Sequence, residues 1–295
     1  MKQVALVTFV KRPLLVESER RVIEPLFRRG VRVSICVWDD PAVDWQAFDA
    51  VILRGTWDYH HKSAAFRAWL ARLEAQSVRV FNPAPIIAWN MDKHYLRDLA
   101  GEGVNIVPTL WLAQGAVADL ATLLDEQGWQ HAVVKPNISG GADNTWLVGR
   151  AEAAAHMERF QTNLASLPSG IMVQQFMPLV QSYGEWSFIF FNGIYSHAVL
   201  KRPAAESIYV QSHLGGSFER REPPPSLISH ATAIMRAAAR CTGARQPFLY
   251  ARVDALDTFD ELILMELEIF EPYLFLEADA YAPERFADAI RDALE

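Results

Sequence analysis

Along the first hundred residues, short apolar runs alternate with segments of helical period. Residues 4–10, 31–37 and 48–53 have the length and composition of buried strands. Between the first two, residues 17–29 place Val22, Ile23, Leu26 and Phe27 on one side of a helix that Gly30 can end. Residues 63–74 predict a second helix with Ser63 as its cap, followed by a fourth strand at 78–81. Strands alternating with helices specify a parallel sheet with covered faces, and such sheets take ligands beyond the carboxyl ends of their strands. The run Arg54-Gly55-Thr56-Trp57-Asp58-Tyr59 leaves the third strand at such an end. Arg54, Trp57, Asp58 and Tyr59 are therefore candidates for the wall of a substrate pocket. An ordinary loop with Trp57 packed inward is the competing reading.

Asn90-Met91-Asp92-Lys93 opens a further helix, and Lys93 by itself reads as a solvated lysine. Residues 107–116 look like a bridge into a new domain. A helix over 120–127 precedes a buried strand at 132–135 that ends in Lys135 and is stopped by Pro136. The loop 137–145 follows, with Gly140 and Gly141, where backbone N–H groups can approach an anion beside the lysine. Residues 171–175 and 185–191 are strands, and Asn192-Gly193 marks a tight hairpin returning over 194–200. A long irregular segment then carries Tyr209, Gln211, His213, Gly215 and Gly216, and its length favours a functional or mobile role. Ser226 can cap a helix that runs to Thr242 and closes at Gly243, and a last helix covers 284–294.

The stretch 249–272 carries the chemistry. Residues 249–256 and 262–270 are apolar with charges at every second position, and the polar segment 257–261 can turn. Side chains alternate across a strand, so Arg252 and Asp254 share a face, as do Glu266 and Glu268. A hairpin symmetric about Asp260 sets Asp254 opposite Glu266 and Arg252 opposite Glu268. A solvated face with a cross-strand ion pair is the plain alternative. The flanking Leu262, Ile263, Leu264, Met265, Leu267, Ile269 and Phe270 are too apolar for that. Buried carboxylates need a compensating cation, and a divalent metal with oxygen ligands supplies it. Arg252 is then free to contact phosphate.

Composition narrows the partners. The chain has 295 residues, 51% of them hydrophobic, enough for more than one domain. A formal net charge of −7 with no long basic run argues against a nucleic-acid partner. No apolar run approaches a membrane span of about 20 residues. Cys36 and Cys241 stand alone, without a CxxC, which suits a reducing compartment and a cytoplasmic location. The N-terminal apolar run is too short for a signal segment. Walker, GxGxxG, HExxH and GxSxG patterns are absent, the histidines show no ligand spacing, and His60-His61 reads as a wet loop.

In combination these features resemble the ATP-grasp superfamily over nearly the whole chain. The order is a lysine, a second lysine with a glycine loop, a hinge strand, a hairpin, a loop, then R-x-D followed by E-x-E and proline. The resemblance implies an α/β protein with an α+β C-terminal part. A Rossmann-like pre-ATP-grasp domain would occupy 1–110, a lid 111–180, and an antiparallel-sheet domain 181–295. It implies that Lys93 and Lys135 hold ATP phosphates under Gly140 and Gly141. Gln174, Gln175, Phe176 and Met177 match the adenine hinge, and Glu185 the acid on the ribose. Asp254, Glu266 and Glu268 match the ligands of Mg²⁺ (or Mn²⁺), although glutathione synthetase and D-alanine–D-alanine ligase carry Asn in place of Glu268. Arg252 matches the arginine at the transferred phosphoryl group, with Lys201, Arg202, Gly215 and Gly216 completing closure.

The runs at 54–59, 200–203 and 265–276 are most like the glutathione-synthetase-like branch that takes in the D-cycloserine synthetases. The implied activity is an ADP-forming ligase that activates a small amino-acid-like carboxylate as an acyl phosphate for an amine or similar nucleophile, ring closure included. A nucleotide-binding regulator and a small-molecule kinase are the competing readings, and a homodimer is compatible.

Overall fold

A computed structural model of the chain describes residues 1–205, 207, 209–210, 214–259 and 261–295. Gln211, His213 and Asp260, singled out above, lie outside them. Three sheets organise the rest. The first is parallel, in the order β2 (Val31–Val37), β1 (Lys2–Thr8), β3 (Ala50–Gly55), β4 (Val80–Phe81). Trp38, Phe66 and Trp69 pack one of its faces. The second is antiparallel, β5 (Thr109–Leu112), β8 (Ile171–Gln175), β6 (His131–Pro136), β7 (Trp146–Gly149), with its own core around Phe160 and Leu164. The bridge expected at 107–116 thus contains a strand of this sheet. The third is also antiparallel, β11 (Ser217–Arg220), β10 (Ile194–Arg202), β9 (Glu185–Phe191), β12 (Tyr250–Asp257), β13 (Leu262–Glu268).

The first and third sheets share a core. Val4, Leu6 and Ile52 pack with Ile189, Phe191 and Tyr250, and Phe286 of the last helix (Ala282–Leu294) joins them. The other face of the third sheet is covered by helix Pro225–Thr242 and by Tyr95, Leu96 and Leu99 of helix Tyr95–Gly101. Asn192 and Gly193 both have positive φ, 49° and 74°, as the β9–β10 turn requires. Among the described residues no helix is long and apolar enough to cross a membrane.

Several local expectations change. Residues 17–29 form two short helices, Glu17–Arg20 and Ile23–Arg28, and Phe27 faces solvent. Neither Ser63 nor Ser226 caps: Lys62 and Pro224 hold the N-cap positions, without side-chain cap bonds. Asp92 and Lys93 lie in the break between helices Ala84–Asn90 and Tyr95–Gly101 rather than in a first helical turn.

Candidate active site

The β12–β13 hairpin has the register that alternation implies, with Arg252 opposite Glu268 and Asp254 opposite Glu266. A register shift between Asp254 and Ala255 follows, so the ladder is regular through the charged part and irregular toward the turn. Two helix residues hold the outer edge of β13. Asn90 donates to Leu267 O at 2.8 Å and accepts from Ile269 N–H at 2.8 Å, and Leu267 N–H donates to the Tyr95 hydroxyl at 3.0 Å. An edge strand with its backbone so occupied presents Glu266 and Glu268 at fixed height. Asn90 and Tyr95 carried no sequence signal for this role, because their partners lie more than 170 residues away.

The hairpin's polar face opens on a cleft of about 840 Å³ between the second and third sheets and the 54–62 loop. One carboxylate oxygen each from Asp254, Glu266 and Glu268 lies within 4.8 Å of the other two. Arg252 clamps Asp254, with Nε 3.0 Å from both oxygens and Nη2 2.8 Å from Oδ2, and it also bonds Glu268. Lys201 Nζ reaches Glu185 at 2.5 Å and Asp254 at 3.1 Å. Lys93 is buried, not solvated: Nζ lies 3.1 Å from Glu266 and donates to Ser139 O at 2.9 Å. Lys135 has no ion-pair partner among the described residues.

The charge states follow from this layout. Burial would raise Asp254, but Arg252 and Lys201 hold it down to about 2. Burial likewise opposes ionisation of Glu266, yet Lys93 and Lys135 keep it below the usual glutamate value. Burial and the neighbouring Glu266 and Asp254 outweigh Arg252 at Glu268 and push it up to about 7. Burial pulls Lys135 down to about 8. Glu271, also lining the cleft, is raised well above normal by burial and by Glu268 and Glu266. The pocket thus holds more carboxylate than its cations neutralise, and hard oxygen donors in that state suit Mg²⁺ or Mn²⁺.

The remaining sequence candidates divide. Gly140, Gly141, Gln174, Gln175, Phe176, Met177, Glu185, Trp57 and Tyr59 all line the cleft. Within the hinge, Gln175 N–H donates to Pro108 O and Phe176 N–H to His131 O, so Met177 supplies the backbone N–H without a partner among the described residues. Trp57 donates through Nε1 to Glu271 O at 3.0 Å, bringing the 54–59 loop against the end of the hairpin. Arg54 is a correction. It is fully buried beneath the loop, where it bonds Glu19 at 2.7 Å and Pro272 O at 2.7 Å, and it lies 4.6 Å over the Tyr250 ring. Asp58 is a second, since it accepts from Trp38 Nε1 at 2.8 Å and pairs with Lys62 on the far side of the loop.

Arg202 alternates with Lys201 on β10, points outward and pairs with Glu219 at 3.0 Å. Gly215 and Gly216 do not line the cleft either. Gly216 instead allows close chain approach, for a Cβ there would stand 2.2 Å from Val210 O. His60, read as part of a wet loop, is buried against Gly140 and lines the cleft.

Two antiparallel sheets flanking a cleft with buried lysines and clustered carboxylates, set beside a parallel sheet, are the ATP-grasp fold, which this chain shares with solved ATP-grasp proteins. Its relatives make the match more specific. Residues 4–82 match the model of the N-terminal domain of D-cycloserine synthetase DcsG. The cycloserine biosynthesis protein DcsG of Streptomyces lavendulae is 29% identical, the match covering 96% of this chain and 93% of that protein. The crystal structure of D-cycloserine synthetase DcsG superposes with a TM-score of 0.90 at 27% identity, covering 99% of this chain and 100% of that one. D-alanine–D-alanine ligase from Bacillus anthracis, complexed with ATP, shares the fold at a TM-score of 0.68 and 16% identity, covering 100% of this chain and 97% of that one.

Proposed function

We propose that this enzyme uses Mg·ATP to phosphorylate the carboxylate of a small amino-acid-like substrate, and that an amine or similar nucleophile then captures the acyl phosphate. The observation that carries this reading is the cluster of Asp254, Glu266 and Glu268 oxygens directly beside Lys93 and Lys135 on the cleft wall. A divalent cation held by those carboxylates would neutralise the phosphates during transfer. Lys135, without an ion-pair partner among the described residues, binds phosphate as a point charge, and Lys93 exchanges part of its contact with Glu266 for the same task. Arg252, fixed by Asp254 and Tyr273 O, steadies the transferred phosphoryl group. Glu185 accepts from the ribose hydroxyls, and Met177 N–H with the Phe176 ring holds adenine. The Gly140-Gly141 loop excludes water from an acyl phosphate that would otherwise hydrolyse. Trp57, Tyr59 and Tyr273 bound the substrate end.

The functional parts of the chain then follow 1–110, 111–180 and 181–295 as N-terminal, lid and C-terminal units. Homology to DcsG supports a nucleophile within the same molecule, so that ligation closes a ring. The test supplies Mg·ATP with amino acids and hydroxy acids, including compounds that carry a terminal ureido or amino group. ADP, phosphate and product mass are followed. Released phosphate with a product smaller than its substrate by one leaving group supports ring closure. A phosphorylated stable product would mean a kinase, and no turnover with tight nucleotide binding would mean a regulator.

A further inference from the structure

The glycine loop is fastened to the 54–62 loop of the first sheet. The Tyr59 hydroxyl donates to Ser139 O at 3.2 Å, beside the Lys93 contact to the same carbonyl. His60, His61 and Asp143 meet at this seam. The His60 side chain is only 8% exposed, yet neither ring nitrogen has a hydrogen-bond partner among the described residues. A neutral imidazole has a donor and an acceptor to satisfy, and buried polar groups are normally paired. His60 Nε2 lies 3.7 Å from Asp143 Oδ2, and His61 Nδ1 lies 3.8 Å from the same oxygen. The two rings are 4.0 Å apart. One ligand atom from each of the three residues lies within 4.8 Å of the others. Bonds of about 2.0–2.1 Å place the ligands of a tetrahedral zinc ion about 3.4 Å apart. Closing from the present spacing to that one calls for rotation of the exposed His61 and Asp143 side chains.

We propose that His60, His61 and Asp143 form a second cation site, for a divalent transition metal of the zinc type, separate from the hairpin carboxylates. Two imidazoles and one carboxylate suit zinc or cobalt and disfavour magnesium, which takes oxygen ligands. A neutral imidazole ligates through its unprotonated ring nitrogen, and both nitrogens of His60 are free of other hydrogen bonds among the described residues. His61 and Asp143 are 58% and 51% exposed, which gives the ion an entry path and leaves a coordination position for water. Gly140 permits the approach, since a Cβ there would stand 3.1 Å from His60 Nδ1. The ion would join the first sheet's loop to the glycine loop and hold the latter closed.

Cobalt alone is the probe, added to the full-length protein with magnesium in excess to occupy the hairpin site. One cobalt per chain should bind, with the visible absorption of nitrogen-ligated Co²⁺. His61→Ala and Asp143→Ala, both at exposed positions, should each weaken binding by about 10-fold or more. Asp254→Asn should leave the cobalt spectrum unchanged, and zinc should slow hydrogen exchange in 137–145. Absence of stoichiometric cobalt binding, unchanged affinity in His61→Ala, or loss of the spectrum in Asp254→Asn would overturn the proposal. None of these readouts depends on turnover, so the ligase reading is tested separately.

Discussion

Arg54 with Glu19 and Arg252 with Asp254 are both buried arginine–carboxylate pairs, yet their surroundings differ. Around Arg54 every guanidinium nitrogen has a partner. Glu19 accepts at 2.7 Å, two carbonyls take further N–H groups, and the other Glu19 oxygen accepts from Leu274 N–H. Nothing there is left for a ligand, and the pair ties a short N-terminal helix to the chain just after the hairpin. Around Arg252 the balance is unfinished. Asp254, Glu185, Glu266, Glu268 and Glu271 line an open cleft together with Arg252, Lys201, Lys93 and Lys135. Three of these acids, Glu185, Glu268 and Glu271, are held above their ordinary values by burial and by neighbouring carboxylates. A closed pair stabilises a fold; an open, over-acidic cluster is where the proposed cation and phosphates would complete the charge balance.

Substitutions can break that contrast. Arg54→Ala leaves Glu19 as an uncompensated buried charge and should lower stability by about 3–5 kcal/mol in denaturant titrations. Activity per folded molecule should stay near wild type, and a selective loss of turnover would return Arg54 to the pocket. Glu266→Gln should do the reverse, reducing ADP formation by about 10²–10³-fold with an unchanged melting curve. Near-normal turnover would remove Glu266 from the metal site.

Lys135 sharpens the comparison through pH. Burial depresses its pKa to about 8 from an ordinary value near 10.5. Below pH 8 it is already charged and nucleotide affinity should be flat. Above pH 8 binding must take up a proton, so affinity should fall by up to about tenfold per unit. Lys135→Arg should abolish the dependence, as measured by tryptophan fluorescence on nucleotide titration. Tyr59→Phe is the mildest change: it removes one hydrogen bond from the glycine loop, worth about 1 kcal/mol. A few-fold faster exchange of the 137–145 amides, with little effect on stability, is the expected outcome.

Much of this was legible in the chain. The order of strands and helices, the Asn192-Gly193 turn and the face shared by Asp254, Glu266 and Glu268 all follow from local pattern. What could not be read locally were the directions of isolated charges. Arg54, Asp58 and Arg202 stand in runs that look like pocket walls, and each points away from the cleft to a partner on another element. Lys93 looks like a surface lysine and is buried between Glu266 and Ser139 O. His60 looks wet and is enclosed by the glycine loop.

The division has a physical cause. Alternation along a strand is geometry that each residue inherits from its neighbours, so spacing alone aligned the hairpin's acids and paired them across the turn. Whether a charge is buried, and against which partner, depends on which element packs over it. For Arg54 that is the chain 218 residues on, and for Lys93 the loop 46 residues on, contacts that exist only once the three sheets close on one another.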